Sequence, residues 1–248
     1  MNGAKKKGGG AGSRVGDGPG SRMDTPSGSR QMVVKVRTAK QRSTSSTLWL
    51  QRQLNDPYVS EAKRLGYRSR AAFKLAQLDD KFHILAKGKR VVDLGCAPGG
   101  WCQVAVERVG PTGKVVGIDY LEMPAVDGAT HIMLDFLDES APARLQELLD
   151  GPAAVVLSDM AAPTTGHHAT DHTRVMALAE TAYEFATEVL TMGGTFIAKV
   201  FQGGTEKTLL DRLKRDFDKV GHAKPSASRA DSAEVYVVAT GFRKAAQG

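Results

Sequence analysis

RVVDLGCAPGGW, residues Arg90 to Trp101, is the stretch whose reading decides the fold. Val91, Val92 and Leu94 form a short apolar run that ends in a turn of small residues, Gly95, Ala97, Pro98, Gly99 and Gly100. A helical pattern follows through Val104, Ala105 and Val109. An apolar run, glycine punctuation and a helix, in that order, predict the strand, loop and helix that open a βαβ unit. Glycines let a backbone approach a ligand closely, and a helix start offers unpaired N–H groups. The loop departs from the dinucleotide fingerprint GxGxxG, because Gly95-x-Ala97 runs into Pro98-Gly99-Gly100. Pro98 stiffens the turn, and Asp93 stands at the strand's end.

Downstream of this unit the pattern alternates regularly. Strands are predicted at Lys114 to Asp119, His131 to Leu134, Ala153 to Asp159, Gly194 to Val200 and Val235 to Thr240. Helices are predicted near Pro142 to Leu149, Thr173 to Leu190 and Lys207 to Val220. Strands alternating with helical patterns imply a mostly parallel sheet with helices on both faces, an α/β architecture.

Upstream, Met1 to about Arg30 is rich in Gly, Ser, Lys and Arg and has almost nothing apolar to bury, so it is expected to be disordered. Val33-Val34-Lys35-Val36 briefly interrupts this composition before more basic and hydroxyl residues reach Ser46. Residues 1–46 therefore read as a tail and 47–248 as the domain, with a helical cap over 47–89. Helices in the cap are broken at Asn55-Asp56-Pro57, and another begins near Ser69. Lys63, Arg64, Arg68, Arg70 and Lys74 are interleaved there with Tyr58, Tyr67 and Phe73. Cations among aromatics suit phosphate contact with base stacking, and an amphipathic cap with core aromatics is the plainer alternative.

Charge agrees with that polarity. The 248 residues carry a formal charge of +7, unevenly spread. Residues 1–46 have 10 Lys/Arg against 2 Asp/Glu, residues 47–90 have 10 against 4, and residues 91–248 have 14 against 21. Basic charge gathered ahead of the glycine loop fits a polyanionic partner met at that end. No apolar run approaches a membrane span, and no signal-peptide core follows the N-terminal lysines, so a cytoplasmic protein is expected. Cys96 and Cys102 flank the loop, and reduced thiols are expected in such a compartment.

The candidate chemistry lies at strand ends. In an open α/β sheet, ligands bind beyond the carboxyl ends of the strands, so Asp119, Asp135, Asp159 and Lys199 converge on one crevice. Asp119 can accept hydrogen bonds from both ribose hydroxyls of an adenosine, and Asp135 can reach the adenine amino group. A lysine within an apolar strand, as in IAKVF, is rarely placed for packing alone. Burial and a neighbouring cation would lower the pKa of Lys199 and let it act as a base. His167, His168, Asp171 and His172 resemble a metal cluster in spacing, but the segment follows a small-residue loop and begins a helix, where Asp or Thr caps. No metal is expected.

The D-x-G-x-x-P-G-G form resembles motif I of S-adenosylmethionine-dependent methyltransferases, with an NAD-binding Rossmann loop as the alternative. Adenine amino methylation typically uses an Asn/Asp-Pro-Pro-aromatic motif, whereas this chain has Asp159-Met160-Ala161-Ala162. Carbon-5 pyrimidine methylation needs a cysteine after the fourth or fifth strand, and none lies there. A hydroxyl acceptor, needing a base and no covalent intermediate, fits best.

RSRAAFKL (Arg68 to Leu75), VVDLGCAPGGW, SDMAAP, IAKVFQGG (Ile197 to Gly204) and SRADSAEVYVVATGF (Ser228 to Phe242) occur in order. Together they resemble the FtsJ/RrmJ (RlmE) family of bacterial 23S ribosomal RNA 2′-O-methyltransferases over about residues 48 to 244. The resemblance implies a Rossmann-like class I methyltransferase fold with a seven-stranded sheet. It implies a catalytic tetrad of Lys74, Asp159, Lys199 and Glu234, and S-adenosylmethionine contacts by Gly99, Trp101, Asp119, Asp135 and Asp159. The implied substrate is a uridine in the A loop of 23S rRNA, methylated on its ribose within the large ribosomal subunit. The same chemistry on tRNA or another RNA, and a non-catalytic assembly factor, are the alternatives. No membrane partner is expected, and the protein is expected to act as a monomer. The chain departs from the family pattern at Cys96, at Cys102 and at Ala162-Pro163.

Overall fold

The computed structural model describes residues 35, 38, 43–163, 165–202 and 207–243. Most of the expected tail, and the Val33 to Val36 interruption apart from Lys35, lie outside the described residues. The first helix, α1 (Thr44–Leu54), starts where the Ser43 hydroxyl accepts the Ser46 N–H at 3.3 Å, an N-cap that composition alone placed in the tail. Asp56 caps α2 (Pro57–Leu65) through the Tyr58 N–H, Pro57 opens its first turn, and Gly66 in the left-handed conformation ends it. The third cap helix, α3 (Ala71–Phe82), carries Lys74.

The described strands are β1 (Arg90–Leu94), β2 (Lys114–Asp119), β3 (Ala129–Met133), β4 (Ala153–Ser158), β5 (Leu190–Phe201), β6 (Phe217–Ala223) and β7 (Glu234–Phe242). They form one sheet in the order β3-β2-β1-β4-β5-β7-β6. The first five run parallel, and β7 lies antiparallel to both β5 and β6. Side chains alternate across a strand. Val91, Val155, Ile197 and Tyr236 therefore face one layer, made by α2, α3 and α4 (Gly100–Val109). Val92, Val156, Ala198 and Val237 face the other, made by α5 (Ala141–Leu149), α6 (His168–Val189) and α7 (Lys207–Asp216). The doubly covered, mostly parallel seven-stranded sheet agrees with the fold read from the sequence.

One element was misread. The predicted helix from Lys207 to Val220 stops at Asp216, and Phe217 begins β6. The far edge of β7 offers an unsatisfied row of hydrogen-bonding groups, and β6 fills it antiparallel from Phe217↔Phe242 to Ala223↔Tyr236. Phe217 and Ala223 are buried at its two ends. Pairing with a distant strand outweighs the helical periodicity that runs on from Leu209 and Leu213.

Candidate active site

β5 and β7 pair with Lys199 opposite Tyr236 and Phe201 opposite Glu234. Because the side-chain period is two, Ile197 and Lys199 share a face, and Glu234 shares one with Tyr236. That is the face covered by α3 and α4, so Lys199 and Glu234 meet Lys74 descending from α3. Lys74 Nζ lies 3.1 Å from Glu234 Oε2, and Lys199 Nζ lies 3.1 Å from Asp159 Oδ1 and 4.0 Å from Glu234 Oε1. Lys199 also donates to the Asp159 main-chain carbonyl at 2.7 Å. Two ammonium groups and two carboxylates thus form one charge-balanced cluster, and the structure brings together all four residues expected of the tetrad.

A fifth residue belongs to the cluster. Tyr236 donates its hydroxyl to Asp159 Oδ1 at 2.8 Å, and Lys74 Nζ lies 5.8 Å from the centre of its ring. The sequence reading stopped at Glu234 and missed it, although Glu-x-Tyr on a strand puts both side chains on one face. Burial pushes the Asp159 carboxyl up, but Lys199, Lys74 and the Tyr236 hydroxyl outweigh it and hold the group below the usual carboxylate range. Burial and the Asp159 and Glu234 charges push the Tyr236 phenol well above its ordinary value, so it remains a donor.

Beside this cluster a cavity of about 610 Å³ opens beyond the carboxyl ends of β1, β2 and β4, within the range of small-molecule sites. Asp119, Asp135 and Asp159 all line it, with Gly95 and Ala97 from the loop after β1 and Arg174 from α6. Asp159 stands both on the cavity wall and in the tetrad. Asp119 braces the wall: its Oδ2 accepts the Ala97 N–H and its Oδ1 the Leu121 N–H, each at 2.9 Å. Asp135 accepts the Leu137 N–H at 3.0 Å. Gly95, at φ +79°, has no room for a side chain, since a Cβ would fall 2.8 Å from Met160 Cγ. Gly99, at φ +105°, is the N-cap of α4.

Trp101 is placed differently from its neighbours. Its indole is buried, donates to the Ala71 carbonyl at 2.8 Å and lies 5.6 Å from the Tyr236 ring. The side chain supports the tetrad from beneath and is not on the cavity wall.

Below the loop, Asp93 is fully buried, and its Oδ2 accepts the Cys102 thiol at 3.2 Å while Oδ1 has no partner among the described residues. Burial, helped by the Asp159 and Asp119 charges, pushes this carboxyl up to about 7 against the thiol's hydrogen bond. The Cys102 thiol is pushed up in turn by its hydrogen bond with Cys96, by burial and by Asp93. Both cysteines are free and buried.

The aromatic and basic interleaving of the cap resolves against base stacking. Tyr58, Tyr67 and Phe73 are buried core, with ring centres 5.3 Å apart for Tyr58 and Phe73 and 5.8 Å for Tyr67 and Phe73. Their apolar bodies gain more from burial than charge spacing suggests. Arg70 is an internal strut, bonded to the Asp56 carboxylate and the Ala227 carbonyl. Arg64 pairs with Glu61 on the surface. In the HHATDH segment, Asp171 accepts from the Thr165 N–H and hydroxyl and from the Gly166 N–H. It closes the turn into α6, and no metal-binding group was found among the described residues.

A Rossmann-like sheet whose crevice joins an acidic cavity to a lysine–carboxylate cluster is the arrangement of a methyltransferase. The chain belongs to the FtsJ-like methyltransferase family, whose model matches residues 67–242. It is 69% identical over 221 residues to the ribosomal RNA large subunit methyltransferase E of Paramagnetospirillum magneticum, covering 87% of this chain and 91% of that protein. The Rhodospirillum rubrum protein of the same name is 58% identical over 245 residues, covering 97% and 93%. A crystal structure described as a ribosomal RNA methyltransferase from Plasmodium falciparum superposes with a TM-score of 0.64 at 34% identity, covering 71% of this chain and 98% of that one.

Proposed function

We propose that the protein transfers a methyl group from S-adenosylmethionine to the ribose 2′-hydroxyl of a uridine in the A loop of 23S rRNA. It acts as a monomer, in the cytoplasm, on the large ribosomal subunit. The observation that carries this reading is the double position of Asp159, on the cavity wall and at 3.1 Å from Lys199 Nζ. It joins a small-molecule site to a candidate base. The names of the similar proteins support rRNA as the acceptor, and the hydroxyl chemistry rests on the lysine cluster and the resemblance.

The residues present fit the cofactor. A 610 Å³ cavity suits an adenosine, and the carboxylates of Asp119 and Asp135 suit its ribose hydroxyls and adenine amino group. The main-chain N–H of Trp101, in the first turn of α4 just after the Gly99 N-cap, suits the amino-acid carboxylate. When bound, the cofactor supplies an electrophilic methyl on a sulfonium.

The chain then has two tasks. Lys199 Nζ is the group placed to serve as base for the 2′-hydroxyl, which must lie within hydrogen-bond reach of it. Asp159, through its carbonyl and its carboxylate, aims that Nζ, and Glu234 with Lys74 closes the other side of the acceptor site. Tyr236 fixes the Asp159 carboxylate. Most of the acceleration comes from holding oxygen and methyl in line.

The test is transfer of labelled methyl from S-adenosylmethionine to large subunits lacking the modification, with tRNA in parallel. Incorporation at one A-loop uridine is the expected result. Incorporation into tRNA alone would keep the chemistry and overturn the target. Cofactor binding without transfer to either RNA would favour the assembly-factor reading.

A further inference from the structure

By sequence, Arg68 belongs with the cations that could meet RNA phosphates. Its surroundings are otherwise. The guanidinium Nη1 donates to the Pro98 carbonyl at 3.3 Å and the Pro124 carbonyl at 2.6 Å, and Nη2 donates to the Ala125 carbonyl. Pro98 is in the loop after β1, and Pro124 and Ala125 are in the loop after β2. These two loops wall the cavity on either side of Asp119, through Ala97 on one and Tyr120 and Leu121 on the other. A Cβ at Gly99 would fall 2.9 Å from Arg68 Nη1, so the guanidinium lies directly against the loop at the start of α4.

The backbone of Arg68 is tied in as well. Its N–H donates to Gln103 Oε1 at 2.9 Å, and Gln103 Nε2 returns a bond to the Gly66 carbonyl at 3.0 Å. The segment between α2 and α3 is therefore laced to α4, and one planar fork bridges three carbonyls from two loops. A guanidinium is suited to this task because it presents five N–H groups in fixed directions, whereas an ammonium is a point donor on a flexible stem.

We infer that Arg68 is a positioning residue for cofactor binding, stapling the two loops that wall the cavity, and is not an RNA phosphate contact. The inference rests on the reading of that cavity as the S-adenosylmethionine site. Its positive charge at the α4 N-terminus also favours an anionic group there. The same residue links the cofactor loop to the helix that carries Lys74, so both halves of the site share one brace.

The test measures calorimetric S-adenosylmethionine affinity, filter binding of 23S rRNA over a range of salt, and steady-state KM and kcat. It compares wild type, Arg68→Ala, Arg68→Gln and Arg68→Lys, with melting temperatures confirming that each variant is folded. The expected result for Arg68→Ala and Arg68→Gln is a rise of about tenfold in cofactor Kd and KM. Their kcat at saturating cofactor is retained within about threefold, with RNA affinity and its salt slope unchanged. Arg68→Lys restores only part of the cofactor affinity. Unchanged cofactor affinity in the folded variants, with weaker RNA binding and a salt slope reduced by about one, would overturn the inference in favour of a phosphate contact. Unchanged affinity for both ligands would overturn it too. Failure of the wild-type protein to bind S-adenosylmethionine would overturn the cavity assignment first and this inference with it.

Discussion

Two clusters of opposite charges lie side by side on the same face of the sheet, and they have opposite fates. In the cap, Asp56 receives Arg70 and, at 3.5 Å, Arg229, while Arg70 also bonds the Ala227 carbonyl. In the crevice, Lys74, Glu234, Lys199 and Asp159 form pairs of similar chemistry. The first cluster is closed: its acid caps α2, and its arginines tie the β6–β7 loop to the cap. The second borders a cavity through Asp159. Charges spent on one another and on backbone carbonyls hold the fold, and charges left facing a cavity are available for chemistry. The closed cluster also serves the open one, because the loop it anchors leads directly into Glu234.

The comparison is broken most sharply at Lys199. Lys199→Ala should lower kcat by about a thousandfold or more, within the range of losing an essential acid–base group, with cofactor affinity largely kept. Near-wild-type methylation by that variant would remove Lys199 from the chemistry. At Asp56 the expected loss is in stability. Asp56→Ala leaves two arginines without their buried partner and should cost about 3 kcal/mol in denaturant unfolding. A variant as stable as wild type would mean that the cap cluster is not a strut.

Asp93 and Tyr236 sharpen the comparison with smaller effects. The folded-state pKa of Asp93 is raised to about 7, above its unfolded value, so the native state holds a proton that the unfolded chain has released. Its contribution to stability is present below about pH 4 and is lost as pH rises to about 7, at up to about 1.4 kcal/mol per pH unit. Asp93→Asn should flatten that slope and raise the melting temperature more at pH 8 than at pH 5, and equal shifts at both would contradict the assignment. Tyr236→Phe removes one hydrogen bond to Asp159 and should lower kcat by about tenfold without altering cofactor affinity. An unchanged kcat would show that Lys199 alone holds the carboxylate in place.

The sheet was legible because its strands are short β-branched runs, buried on both faces and bounded by turns, as in RVVDL and KVVGID. That Lys74, Asp159, Lys199 and Glu234 cluster was legible through the ordered motifs, and register then explains why Lys199 and Glu234 meet. Tyr236 could have been found from the same alternation. β6 could not, since Phe217 to Val220 continues a helical pattern until an antiparallel partner overrides it. The partners of Arg68 and Arg70 were not legible for a general reason: they include main-chain carbonyls of Pro98, Pro124, Ala125 and Ala227, and backbone acceptors leave no mark in a sequence. The buried place of the Trp101 ring was not legible either, since nothing in GGW tells a ring beneath Tyr236 from one on the cavity wall.

The most direct test of the whole account is the position of the transferred methyl group. Large subunits would be labelled with wild type and with Lys199→Ala, and their 23S rRNA degraded with alkali, which cleaves every linkage except one that follows a 2′-O-methyl ribose. The account predicts one alkali-resistant labelled dinucleotide from the A loop with wild type and none with Lys199→Ala. Label recovered on a base, or an equal yield of the resistant product from both proteins, would contradict it.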